Sequence, residues 1–130
     1  MDFTTANNAQ VVMPLAPFKD AMSLKNAIEK ELKESGAQLD LKADISTLFL
    51  SVDSSDAVYK ALMVCAGRGT YNHEKINEKT FETVEGREDY YEVMITCLKV
   101  NVAPFFKGLL LASQILKSFA TLPKDSPASK

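Results

Sequence analysis

The sequence predicts a mainly α, all-helical domain: a single irregular bundle of about five helices with an extended N-terminal arm and a disordered C-terminal tail. Three observations carry this. Apolar residues recur at three- and four-residue steps through most of the chain, as one face of a helix requires. Glycines, prolines and small capping residues punctuate those runs at their ends. Finally, 130 residues with 46% hydrophobic content suffice for one domain with a core of its own, without metals or disulfides.

Residues 1–17 form the arm, 18–122 the helical core and 123–130 the flexible tail. In the arm, Pro14 and Pro17 block a helix, so the chain there is extended. Phe18 to Ser35 is the first helix: Leu24, Ala27, Ile28 and Leu32 make one stripe, Lys25 and Glu29 pair across a turn outside it, and Gly36 closes it. In the segment 37–53, Leu39, Leu41, Ile45 and Leu48-Phe49-Leu50 fit a short helix capped by Asp44 or a buried strand, with helix preferred. Ser54-Ser55-Asp56 caps the next helix, whose Val58, Ala61, Leu62 and Cys65 point inward, and Gly67 and Gly69 end it. Tyr71 to Gly86 is polar, with a short helix expected around Thr80 to Val84 that turns Phe81 inward.

Arg87 to Val102 reads as the central helix because it has two stripes. One is Tyr91, Met94, Ile95, Leu98 and Val102; the other is Tyr90, Val93, Cys97 and Val100. Pro104 suits the start of a last helix. From Phe105 to Phe119 that helix is apolar except for an edge at Lys107, Gln114 and Lys117. The segment after Leu122, Pro123 to Lys130, is too polar and proline-rich to pack.

Charge excludes some functions. A net charge of −2, with no clustered Lys and Arg, argues against nucleic acid as a partner. No apolar run reaches membrane-spanning length and no signal peptide begins the chain, so no membrane association is expected. The charges are polarised all the same. Glu74 to Glu92 holds seven acids and three bases, whereas five lysines from Lys99 onward face only Asp125.

Catalytic and metal signatures are weak, so catalytic residues, cofactor and metal are all expected to be none. His73 is the only histidine, which leaves no multi-imidazole zinc site and makes it a plain loop residue. Cys65 and Cys97 sit in apolar stretches and read as buried thiols of a reducing compartment. Gly67-Arg68-Gly69 lacks the spacing of a phosphate loop. Glu85, Glu88, Asp89 and Glu92 share one helical face near a helix start, which fits a solvated acidic face better than a cation site.

The last helix is the best clue. Phe105, Phe106, Leu109, Leu116 and Phe119, with Leu110, Leu111 and Ile115 beside them, offer more apolar surface than a small core absorbs. The first five are therefore candidate partner-binding residues, plain core being their alternative.

Several segments resemble the tail assembly chaperones of long-tailed (siphovirus) bacteriophages, in particular the shorter product of the frameshifted pair. They are Thr80-Phe81-Glu82, Asp89-Tyr90-Tyr91-Glu92-Val93-Met94, Asn101-Val102-Ala103-Pro104-Phe105-Phe106 and Asp56-Ala57-Val58-Tyr59-Lys60-Ala61-Leu62. The similarity extends over most of residues 20–120 and is a pattern of helices and aromatic positions. It implies a helical, non-enzymatic protein of the host cytoplasm that binds the tape measure protein and recruits major tail (tube) protein subunits. Such a protein is absent from the mature virion, and the family has no catalytic residues to transfer. A homo-oligomer is expected as well. The competing readings are a small phage regulatory or inhibitory protein that binds a host factor through its acidic face, and a small enzyme near His73 and Tyr71.

Overall fold

The computed structural model of the chain describes residues 1–36 and 44–120, the last two as backbone only. Leu39, Leu41, Leu122, the side chain of Phe119 and the tail 123–130 therefore lie outside the described residues. Five α-helices are found among them: α1 Phe18–Glu34, α2 Ile45–Val52, α3 Asp56–Ala66, α4 Val84–Asn101 and α5 Ala103–Ala120. The mainly α reading therefore holds.

The helices start and stop where local chemistry directs. The Asp44 side chain accepts from the Ser46 N–H at the start of α2, and the Ser55 hydroxyl accepts from Val58 N–H at α3. Thr83 caps α4 by accepting from Gly86 N–H. Gly36, at φ 79°, supplies the left-handed residue after α1. Lys25 and Glu29 form the expected i,i+4 ion pair at 2.8 Å.

Leu24, Ile28 and Leu32 of α1 are buried, and α1 packs most extensively on α3, which contributes Val58, Leu62 and Cys65. Phe49 and Val52 of α2 close one side. Helix α4 buries both predicted stripes in part: Met94, Leu98 and Val102 on one, Val93 and Cys97 on the other. It touches α2, α3 and α5, as a central helix should.

The arm departs from expectation in its role. It is extended, as the prolines require, but it folds into a hairpin of β1 Asp2–Thr4 and β2 Gln10–Val12. A second hairpin, β3 Thr70–Tyr71 and β4 Glu74–Lys75, joins it in an antiparallel sheet of order β1-β2-β3-β4. Val11 pairs with Phe3 on one side and Tyr71 on the other. Ala9, Val11 and Met13 are buried while Gln10 and Val12 face out, the two-residue period of a strand. Asn72 and His73, at φ 50° and 71°, form the two-residue turn between β3 and β4, so His73 holds a turn position. The short helix expected near Thr80 is a 3-10 turn over Glu78–Phe81, and Phe81 meets Tyr90 edge-on at 5.0 Å.

Gly67 is the C-cap of α3, while Gly69, two residues on, lets β2 pass. A Cβ there would lie 2.4 Å from the Val12 carbonyl oxygen, a backbone atom that cannot swing away. Gly69→Ala is expected to cost about 1–3 kcal/mol by forcing β2 off the core, measurable by urea unfolding.

Candidate functional site

Helix α5 follows α4 after a bend of 42°. The break falls at Val102, and Pro104 in the first turn of α5 has no N–H with which to carry the α4 ladder on to the Val100 carbonyl. The Asn101 side chain steadies the corner: its amide donates to the Cys97 carbonyl at 3.1 Å and its Oδ1 accepts from Ala16 N–H at 2.7 Å. Among the described residues no single helix is long and apolar enough to cross a membrane. Only the bent α4–α5 pair passes by length and composition, and α4 is a core helix.

Two residues anchor α5 to the body. Phe106 is buried, and Phe105 is half-buried with its ring edge-on to Phe18 at 5.9 Å. Beyond them the helix is largely uncovered. Leu109 is 40% exposed, Leu111 51%, Ile115 58% and Leu116 67%. Gly108 and Ala112 between them are exposed too, and a Cβ added to Gly108 would meet nothing within 4 Å. At 100° per residue, these side chains sweep a continuous apolar arc of roughly 160° around α5. Phe106, Leu110 and Ser113 lie on the remaining, body-facing side, which Lys117 shares one turn beyond Ser113, and Lys107 with Gln114 forms a polar edge beside the arc.

Four of the five candidate residues thus separate, the Phe119 side chain lying outside the described residues. Leu109 and Leu116 are on the open face, Phe105 borders it, and Phe106 belongs to the core. Leu111 and Ile115 join the open face. The geometry is that of a ridge, since one helix exposing so wide an arc is convex. It supplies anchors for a groove on another molecule.

The acidic face needs a correction. Glu85, Glu88 and Glu92 are exposed on α4, but Asp89 is 1% exposed. Its Oδ2 accepts from the Tyr71 phenol at 2.6 Å and the Thr5 hydroxyl at 2.7 Å, and its Oδ1 accepts from the Asn7 amide at 2.9 Å. One carboxylate therefore fastens both hairpins to α4. Burial pushes its pKa up, but the three donors outweigh that and hold it below the ordinary carboxylate value. Burial and the Asp89 bond push the Tyr71 phenol up to about 12. The signal for this site was register: Asp89 stands four residues before Val93 and eight before Cys97, on the buried stripe.

Other chemistry-bearing groups are committed to structure. Burial pushes the Cys65 thiol up to about 11 and the Cys97 thiol up to about 12, so both stay protonated and unreactive near neutral pH. A concavity of about 610 Å³ beside Asn7, Tyr71, Asn77, Thr83 and Glu85 has as its phenol the one already bonded to Asp89. A second, of about 780 Å³, lies between α3 and Ile76, lined by Tyr59, Met63, Val64 and Arg68. Among the described residues no group of three or more His, Cys, Asp or Glu is placed to hold a metal ion. No family model, no curated protein and no solved structure matches the chain.

Proposed function

We propose that this protein is a non-enzymatic tail assembly chaperone of a long-tailed phage, which binds the tape measure protein and recruits tail tube subunits in the host cytoplasm. The open ridge of α5 carries the reading. Leu109, Leu111, Ile115 and Leu116 are each roughly half exposed, so covering them is worth on the order of 3–6 kcal/mol before the costs of association, at about 1.5–3 kcal/mol per fully buried side chain. A face of that kind suits a long helical client, whose own apolar stripe needs cover while it waits for assembly. The motifs that resemble the chaperone family supply the identity of that client. They span α3, α4 and the start of α5, so the ridge grows directly out of them.

Coexpression with the tape measure and tail tube proteins of the same genome, followed by pull-down, tests the reading. Copurification of a soluble tape measure protein is the expected result. A folded chain that binds neither protein would overturn it. Stoichiometric capture of a host protein that is lost when Glu85 and Glu88 are neutralised would put the inhibitory reading in its place.

A further inference from the structure

We propose that the groove between α3 and β4 is a peptide-binding site, which takes an extended segment of a partner protein, apolar at its centre and acidic on both flanks, by strand addition. None of the residues lining it belongs to α5, so the site is separate from the ridge.

On α3, Tyr59, Met63 and Gly67 stand four residues apart, with Lys60, Val64 and Arg68 each one position on, so the two rows share one outer face. Opposite them runs the chain from Lys75 to Glu78. The space between is about 780 Å³, within the range of sites that hold a ligand. Both ends are drawn together. At one, a Cβ added to Gly67 would lie 3.5 Å from the Ile76 carbonyl oxygen; at the other, the Tyr59 phenol donates to Glu78 at 3.4 Å. From Tyr59 to Gly67 the helix rises roughly 12 Å, the length of three or four residues of extended chain.

The backbone opposite α3 is set for such a chain. Ile76 N–H donates to the Gly69 carbonyl at 3.1 Å, and Lys75 stands opposite Thr70. Hydrogen-bonded and non-hydrogen-bonded pairs alternate in an antiparallel ladder, so the N–H and carbonyl of Lys75 point away from β3. Because β4 is the last strand of the sheet, that edge is a template for one more. Alternate side chains of the added strand would rest on Met63, half-buried, and Val64, 52% exposed.

Charge selects the segment. The groove is lined by Lys60, Arg68 and Lys75 against a single acid, Glu78, in a chain whose net charge is −2. Lys60 and Arg68 pair with Asp56 and Asp20, which do not line the groove. Such solvent-exposed pairs are worth only about 0–1 kcal/mol, so either cation is free to turn to a second carboxylate. Among the described residues Lys75 is in no ion pair. Acidic residues on both sides of an apolar one therefore complement the walls.

The test uses a library of end-blocked hexapeptides with two central valines and flanks drawn from glutamate, lysine, serine and glycine, panned on the full chain. Glutamate-flanked peptides should be enriched. By fluorescence anisotropy the best of them should lose at least about tenfold in affinity when Lys60→Glu is combined with Lys75→Glu. The same double variant should enrich lysine-flanked peptides instead, a reversal that a misfolded variant cannot give. In an amide NMR titration, the Lys75 N–H should shift and exchange more slowly as it donates to the added strand, with Met63 and Val64 shifting beside it. No enrichment, enrichment indifferent to flank charge or to the double variant, or shifts that leave Lys75 and Val64 unmoved would overturn the proposal. Capture of the tape measure protein is a separate readout, so the chaperone reading survives or fails independently of this groove.

Discussion

Asp89→Ala is expected to lower stability by about 2–4 kcal/mol, because it strips the acceptor from three donors at once and bonds to a charged acceptor are worth about 1.5–3 kcal/mol each. The Tyr71 phenol, Thr5 hydroxyl and Asn7 amide all point at that carboxylate. The loss should appear first as faster hydrogen exchange in β1, β2 and β3, since the carboxylate holds their hairpins on α4. Asp89→Asn, which keeps one acceptor oxygen, should lose less. The pH dependence has two arms. The carboxylate's folded pKa lies below its unfolded value of about 3.9, so its contribution is present above that pH and lost as pH falls through the folded pKa. The phenol's is raised from 10.0 to about 12, so its contribution is present below about pH 10 and lost as pH rises toward 12. Urea unfolding across pH measures both arms. Asp89→Ala should remove this carboxylate's part of the acid arm, and Tyr71→Phe should shrink the alkaline one, which the buried Cys65, Cys97 and Tyr90 share.

The second large effect is on binding alone. Ile115→Asp with Leu116→Asp is expected to leave folding stability within about 0.5 kcal/mol, because both side chains stand mostly in solvent. Client binding should fall by at least about a hundredfold, since two apolar anchors are lost and two carboxylates would have to be buried in their place. Pull-down beside a circular-dichroism melt separates the two quantities. Phe106→Asp, in contrast, should unfold the protein because that ring is in the core.

How much of this was legible depends on periodicity. Helices α1, α3 and α4 carry apolar stripes long enough to declare themselves, and Asp44, Ser55 and Gly36 mark ends that the structure keeps. The sheet was hidden because its strands are only two or three residues long, too short for a pattern, although Ala9, Val11 and Met13 already alternate. Asp89 looked like one more member of an acidic run. Only its coincidence with Val93 and Cys97 on one helical side separates it from Glu88 and Glu92. The α5 surplus was visible as composition, but composition cannot say which part of a helix stays open. Phe106 is buried just after the bend between α4 and α5, and the next two turns stand largely in solvent.

Hydrogen exchange along α5, compared with and without bound tape measure protein, tests the central claim most directly. The free chain should be held dilute enough to stay dissociated. Slowed exchange of the amides from Gly108 to Ser118 on binding is the result predicted if the ridge is the docking element. Protection confined to other helices, with α5 exchanging as fast as in the free protein, would contradict it.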